Sequence, residues 1–140
     1  MILRASSGNR LGITTGIDRS LNGVVTGTQR VNQKLDNPYG DKTLTNWFNP
    51  AAFEQPAIGA TGTSGRNAYL GPGSRTLDLS LVRSFGLQNM HRIEARIEAF
   101  NAFNWLRWGD PITVFSDANF GRILTAADPR ILQFAVKYQF

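Results

Sequence analysis

Three segments of the chain alternate apolar and polar residues with a period of two, the signature of strands with one apolar and one polar face. In residues 130–140, Leu132, Phe134, Val136, Tyr138 and Phe140 fall on one face, and Gln133, Ala135, Lys137 and Gln139 on the other. In residues 75–85, Leu77, Leu79, Leu81 and Phe85 oppose Thr76, Asp78, Ser80 and Ser84, with Val82 and Arg83 out of phase. From Arg92 the pattern has no fault: Ile93, Ala95, Ile97 and Ala99 alternate with Arg92, Glu94, Arg96 and Glu98. The Glu-Ala-Arg composition there also suits a helix, but every position fits the period of two, so the pattern predicts a strand over 92–104.

Residues 86–91, Gly-Leu-Gln-Asn-Met-His, are short enough for a hairpin turn, which would pair 75–85 antiparallel with 92–104. The strand 130–140 would pair with 92–104, after a loop over 104–129 punctuated by Gly109-Asp110-Pro111, Asn119-Phe120-Gly121 and Asp128-Pro129. Upstream, residues 14–74 carry most of the glycine and proline and no clear period. A structureless stretch of that length is rare in a compact soluble domain and normal in an outer-membrane barrel, where periplasmic turns are short and extracellular loops long. Gly12-Ile13-Thr14-Thr15 reads as the end of an earlier strand. An eleven-residue strand rises roughly 35 Å and, tilted near 45°, crosses about 25 Å, the height of an outer-membrane apolar band. The expected fold is therefore all-β: the C-terminal antiparallel strands of a transmembrane outer-membrane β-barrel, with long extracellular loops and 1–140 forming one partial domain. If 86–91 is periplasmic, then 14–74 and 104–129 are extracellular and the C-terminus is periplasmic.

Composition narrows the chemistry. Fifteen Lys+Arg against ten Asp+Glu give a formal charge of +5, but the cations are scattered, so no nucleic-acid arm is expected. Cysteine is absent, which excludes disulfides, thiolate metal sites and cysteine catalysis. The first residues lack the apolar stretch of an export signal and no run is long enough for a transmembrane helix. A chain of this type is expected to be the C-terminal part of a longer exported protein, or a reading frame opened at an internal Met.

Candidate chemistry is sparse. His91 is the only histidine and has no partner histidine or cysteine for zinc or acid–base work. Asp36, Asn37 and Asp41 miss the spacing of an EF-hand and suit turns. The glycines of residues 59–65 are spaced GxxGxxG without a strand-then-helix context, so a phosphate loop is not expected. Glu94 and Glu98, alternating with Arg92 and Arg96, suit a solvated barrel lumen better than a pair of catalytic carboxylates. No enzyme, cofactor or metal is expected. Phe100, Phe103, Trp105 and Trp108 lie where a strand should leave the membrane and could form an interfacial aromatic girdle; with Trp47 they could equally be loop-packing aromatics.

The blocks Thr15-Gly16-Ile17-Asp18-Arg19-Ser20-Leu21-Asn22-Gly23, Asn46-Trp47-Phe48-Asn49-Pro50-Ala51-Ala52-Phe53, Gly65-Arg66-Asn67, Leu70-Gly71-Pro72-Gly73, Glu98-Ala99-Phe100-Asn101-Ala102-Phe103-Asn104 and Phe120-Gly121-Arg122-Ile123 with Ala127-Asp128-Pro129-Arg130 carry a resemblance over nearly the whole chain. Their order and spacing resemble the C-terminal end of TonB-dependent outer-membrane receptors, most closely the Oar-like group with its N-terminal carboxypeptidase-regulatory-like domain. The resemblance implies a barrel of about 22 strands, plugged by an N-terminal domain, that takes up or senses an extracellular ligand with energy passed by TonB. Its implied partners are outer-membrane lipid, the barrel-assembly machinery, the remaining strands and plug of the parent chain, and TonB only through that missing N-terminal part. Residues Gln133, Phe134, Val136, Tyr138 and Phe140 then match a terminal membrane-insertion signal, in which Ala135 stands where a glycine is usual. Two other readings are a soluble β-sandwich that binds carbohydrate or protein through its long loop, and a barrel that anchors a surface adhesion protein. A sandwich would need a second sheet to cover the apolar stripes.

Overall fold

The computed structural model describes residues 1–24, 28–88 and 91–140. Among them eight strands follow in order: β1 Ile2–Ser6, β2 Arg10–Leu11, β3 Asn32–Gln33, β4 Phe53–Glu54, β5 Tyr69–Leu70, β6 Ser74–Gly86, β7 Arg92–Phe100 and β8 Ile131–Gln139, with a 3-10 turn at Pro50–Ala52. No α-helix occurs among the described residues, and the chain is all-β as its alternation predicts. It divides into two compact units: a sheet unit of Met1–Ser6, Ser74–Arg107 and Ala126–Phe140, and a loop unit of Ser7–Gly73 and Trp108–Thr125.

The sheet unit is one four-stranded antiparallel sheet in the order β1-β6-β7-β8. The three strands legible in the sequence pair as expected: Leu81 opposes Ile97 and Ile97 opposes Phe134, while Ser80 opposes Glu98 and Glu98 opposes Gln133. Leu87 N–H donates to the His91 carbonyl at 2.8 Å as the β6–β7 connection begins to turn; Asn89 and Met90 of the expected turn lie outside the described residues. The fourth strand is β1, paired through Ile2↔Asp78 to Ser6↔Ser74, and does not end at Gly12–Thr15 as the sequence suggested. With β1 opposite 74–78 and β7 opposite 79–86, β6 is shared between two neighbours along its thirteen residues. The sheet is open.

Strand β7 stops at Phe100 and not at 104, because Asn101 (φ 49°) and Asn104 (φ 53°) adopt the left-handed conformation, which asparagine tolerates better than most residues. Asn101 is buried and forms a clamp: its Nδ2 donates to the Trp105 carbonyl and its Oδ1 accepts from the Trp105 N–H, both at 3.0 Å. Asp78 Oδ1 accepts the Asn101 N–H at 3.0 Å, and Asp78 Oδ2 accepts from Arg4 Nη1 at 2.8 Å. The Asn104 side chain accepts from the Arg130 N–H at 2.9 Å, tying the end of β7 to the approach to β8.

The loop unit corrects the expectation that 14–74 lacks structure. It has a core of Ile13, Val31, Trp47, Phe48, Ala52, Phe53, Tyr69, Phe120 and Ile123. Phe48 sits at its centre, stacked on Tyr39 at 5.7 Å and Phe120 at 6.3 Å and meeting Phe53 and Tyr69 edge-on. Such aromatic pairs contribute about 0.5–1.5 kcal/mol each beyond the area they bury. Backbone closure is tight at several glycines, among them Gly121 and Gly62. Gly121, at φ +75°, takes the Trp47 N–H on its carbonyl at 2.8 Å, and a Cβ there would lie 2.5 Å from the Phe48 oxygen. A Cβ on Gly62 would fall 1.9 Å from the Arg30 oxygen, so Gly62 serves close backbone packing, whereas Gly59 stands in open space at φ +80°.

Candidate membrane-facing surface

Register determines what each face of the sheet presents, since residues opposite one another share a face. One face carries Leu79, Leu81 and Phe85 from β6, Ile93, Ala95, Ile97 and Ala99 from β7, and Leu132, Phe134, Val136 and Tyr138 from β8. Its central residues are open, with Leu81 68%, Phe134 70% and Val136 75% exposed, and among the described residues no second sheet covers them as a soluble sandwich would require. Nine-residue strands match the roughly 9–11 residues needed to cross a bilayer obliquely.

The opposite face is charged. Arg96 reaches Glu94 at 3.2 Å and Glu98 at 4.0 Å, and Ser80 Oγ donates to Glu98 at 3.4 Å. Flanked by Val82 and Ala135, Arg96 has room to lie between the two carboxylates of its own strand. Such exposed pairs stabilise little, about 0–1 kcal/mol. Their effect is to keep one face wet. Arg83 breaks the apolar row, and its guanidinium lies over the Phe85 ring at 5.8 Å, a stem along apolar surface with its head displaced toward the strand end.

The five residues of the suggested insertion signal are divided by this geometry. Phe134, Val136 and Tyr138 lie on the apolar face, Phe140 continues their stripe, and Gln133 faces the charged side opposite Glu98. The suggested girdle is divided too. Phe103 and Trp105 pack together at 5.1 Å with Arg75 over the Trp105 ring at 4.5 Å, at the loop end of the sheet. Phe100 is corrected to the charged face, because it opposes Ile131 in the same alternating set as Glu98. Trp108 belongs to the loop unit, where it meets Trp47 edge-on at 6.2 Å. At the turn end the structure assembles aromatics that sequence reasoning did not join. His91 stacks on Tyr138 at 5.7 Å, Tyr138 Oη lies 2.9 Å from His91 Nδ1, and Phe140 tilts against Tyr138 at 6.0 Å. Counting the β7–β8 register one step beyond Arg92–Gln139 brings His91 opposite Phe140, so the signal was present in the pairing.

The model of the outer membrane beta barrel domain family matches residues 1–133. The chain belongs to this family. No curated protein and no solved structure matches it. For an outer membrane beta barrel domain, an open apolar face backed by a charged one is the expected division between lipid and lumen, and the outer membrane is its location. The barrel domain's loop unit adds a second environment. There Asp18 accepts from the Asn22 and Gly23 N–H groups at 3.2 and 2.8 Å and from the Gln29 side-chain amide, while Gln29 Oε1 accepts from the Arg19 and Ser20 N–H groups. The Gln29 amide, followed by those backbone groups, holds the Asp18 carboxyl below its ordinary range. Burial pushes the Tyr69 phenol up, and its hydroxyl donates to Gln33 Oε1 at 2.8 Å.

Proposed function

We propose that this barrel domain is a portion of a TonB-dependent outer-membrane receptor of the Oar-like type, which takes up or senses an extracellular ligand. The observation that carries the reading is the pairing of a two-faced sheet with a separately packed loop unit, built from the segments that join β1 to β6 and β7 to β8. Both segments connect strands on the side opposite the β6–β7 hairpin, so they share one side of the membrane and the hairpin takes the other. Short turns are periplasmic and long loops extracellular in such barrels, which makes the loop unit extracellular and the C-terminus periplasmic. The resemblance of the Asn46–Phe53 and Glu98–Asn104 blocks to the receptor family supports reception over simple anchoring. Four strands are half of the roughly eight in the smallest barrels, and the outer edges of β1 and β8 would leave backbone groups unpaired in hydrocarbon. The remaining strands and plug of a parent chain supply those partners, and the barrel-assembly machinery reads the stripe ending at Phe140.

This chain has no cysteine of its own, and a parent background with any native cysteines replaced makes the test clean. Single cysteines replacing exposed Thr45 in the loop unit and exposed Gln88 in the turn are introduced into the full-length parent. A membrane-impermeant maleimide should label Thr45→Cys on intact cells and Gln88→Cys only once the periplasm is opened. The reverse pattern would overturn the orientation. Ligand accumulation that stops when TonB is removed supports uptake; surface attachment unchanged by loss of TonB, without accumulation, would refute uptake in favour of adhesion.

A further inference from the structure

Two adjoining cavities in the loop unit, of about 340 and 210 Å³, share Thr28, Arg30 and Arg66 as a common wall. The larger falls in the size range of small-molecule sites. Asn67 completes its polar lining, and Asn22 and Thr61 line the smaller. No lining residue is acidic, and neither Arg30 nor Arg66 forms an ion pair among the described residues. Arg30 is held in place, since its Nη1 donates to the Ser64 carbonyl at 2.7 Å. Ser20, on the wall of the smaller cavity, has a buried hydroxyl with no hydrogen-bond partner among the described residues. The lining therefore carries two cations, while the nearby Asp18 carboxylate behind Asn22 and Gln29 is engaged by the Gln29 amide and the Asn22 and Gly23 N–H groups; an anion entering the recess is attracted by both arginines.

We propose that these joined cavities bind a small hydroxylated organic anion of the sugar-acid class. The arginines would take the carboxylate, which a guanidinium fork can bind through two parallel hydrogen bonds as it can a phosphate; the glucose 6-phosphate arm below separates the two. Thr28, Thr61, Asn22 and Asn67 offer hydroxyls and amides to the ring hydroxyls. The site deepens the receptor reading above by naming the class of ligand, and the two can fail separately: maleimide labelling tests which side the loop unit faces, while a titration tests the cavity.

The experiment titrates the full-length parent, purified in detergent micelles, with galacturonate, galactose and glucose 6-phosphate. Migration of the unheated barrel verifies assembly, and near-ultraviolet dichroism unchanged from wild type verifies that the aromatic packing is intact in each variant. Galacturonate should bind, and neutral galactose should bind at least about tenfold more weakly. Replacing exposed Arg66 by Ala should weaken galacturonate roughly tenfold to hundredfold, the range expected for losing a hydrogen bond to a charged group. Arg66→Lys should lose less, and Lys34→Ala, which removes an exposed cation paired with Glu54, should change nothing. Equal affinity for galactose and galacturonate, no binding of either, or equal losses in the Arg66 and Lys34 variants would overturn the site. Tighter binding of glucose 6-phosphate than of galacturonate would overturn the assignment to a carboxylate.

Discussion

Phe134 and Gln133 are neighbours in sequence on opposite faces of the sheet, and charging each in turn measures what the faces meet. Phe134 lies near the middle of β8, opposite Ile97, with 70% of its surface open on the apolar side. If that surface meets lipid, truncating it forfeits about 140 Å² of lipid-facing apolar burial, 70% of a side chain of roughly 200 Å², which costs about 3.5 kcal/mol at ~25 cal/mol/Å². An arginine near the bilayer midplane adds about 2–4 kcal/mol. The total, about 6 kcal/mol, is comparable with the whole stability of a small domain, about 5–15 kcal/mol. Gln133→Arg places its charge opposite Glu98 and should be neutral or favourable by up to about 1 kcal/mol. With both variants in the full-length parent, heat-modifiable migration from outer-membrane fractions should show assembly lost for Phe134→Arg and retained for Gln133→Arg. Equal assembly of the two would show that the faces are not lipid and lumen.

Asn101→Ala should destabilise the sheet unit by about 1–3 kcal/mol through the lost Trp105 clamp and the left-handed backbone, and Asn101→Gly by less; urea midpoints in vesicles separate them. Asp18 has a lowered folded value, so its contribution is fully present above the ordinary carboxyl value of 3.8 and fades as pH falls through the folded value. Amide exchange at Asn22 and Gly23 should accelerate only in that acid window, and Asp18→Asn should remove the pH dependence; acceleration already at neutral pH would contradict it. In single-tryptophan variants, lipids brominated near the headgroups should quench Trp105 and spare Trp47, which is buried in the loop unit; uniform quenching would refute the assignment of Trp105 to the bilayer boundary. Deleting Phe140, whose side chain is 95% exposed, should leave synthesis and export intact yet slow barrel assembly; wild-type assembly rates would exclude its role as a recognition signal.

The sheet was legible because a two-residue period repeats faultlessly from Arg92 and nearly so in β6 and β8, and such a period fixes faces and register together. Strand β1 was missed because Ile2-Leu3-Arg4-Ala5-Ser6 alternates too briefly to stand out. The loop unit was invisible for another reason. Its strands are two residues long, and its core joins aromatics without period, Phe48 to Phe120 across most of the chain. The aromatics of the suggested girdle part ways because composition locates them along a strand, whereas parity and the Asn101 turn decide the face. Phe100 falls on the wrong parity; Trp108 lies past the turn. The paired arginine cavities depend on bringing Arg30 beside Arg66, which no spacing rule anticipates.

The shared aromatic core also bears on how such a protein can change. Trp47 and Phe48 come from one inter-strand connection, Phe120 and Ile123 from another, and neither segment encloses Phe48 alone. Exchanging a single connection for that of a relative would strip packing partners from the other, so recombination that preserves folding must carry both segments together. Diversity in this surface should therefore arise by substitution at its rim, or by inheritance of the pair as one cassette.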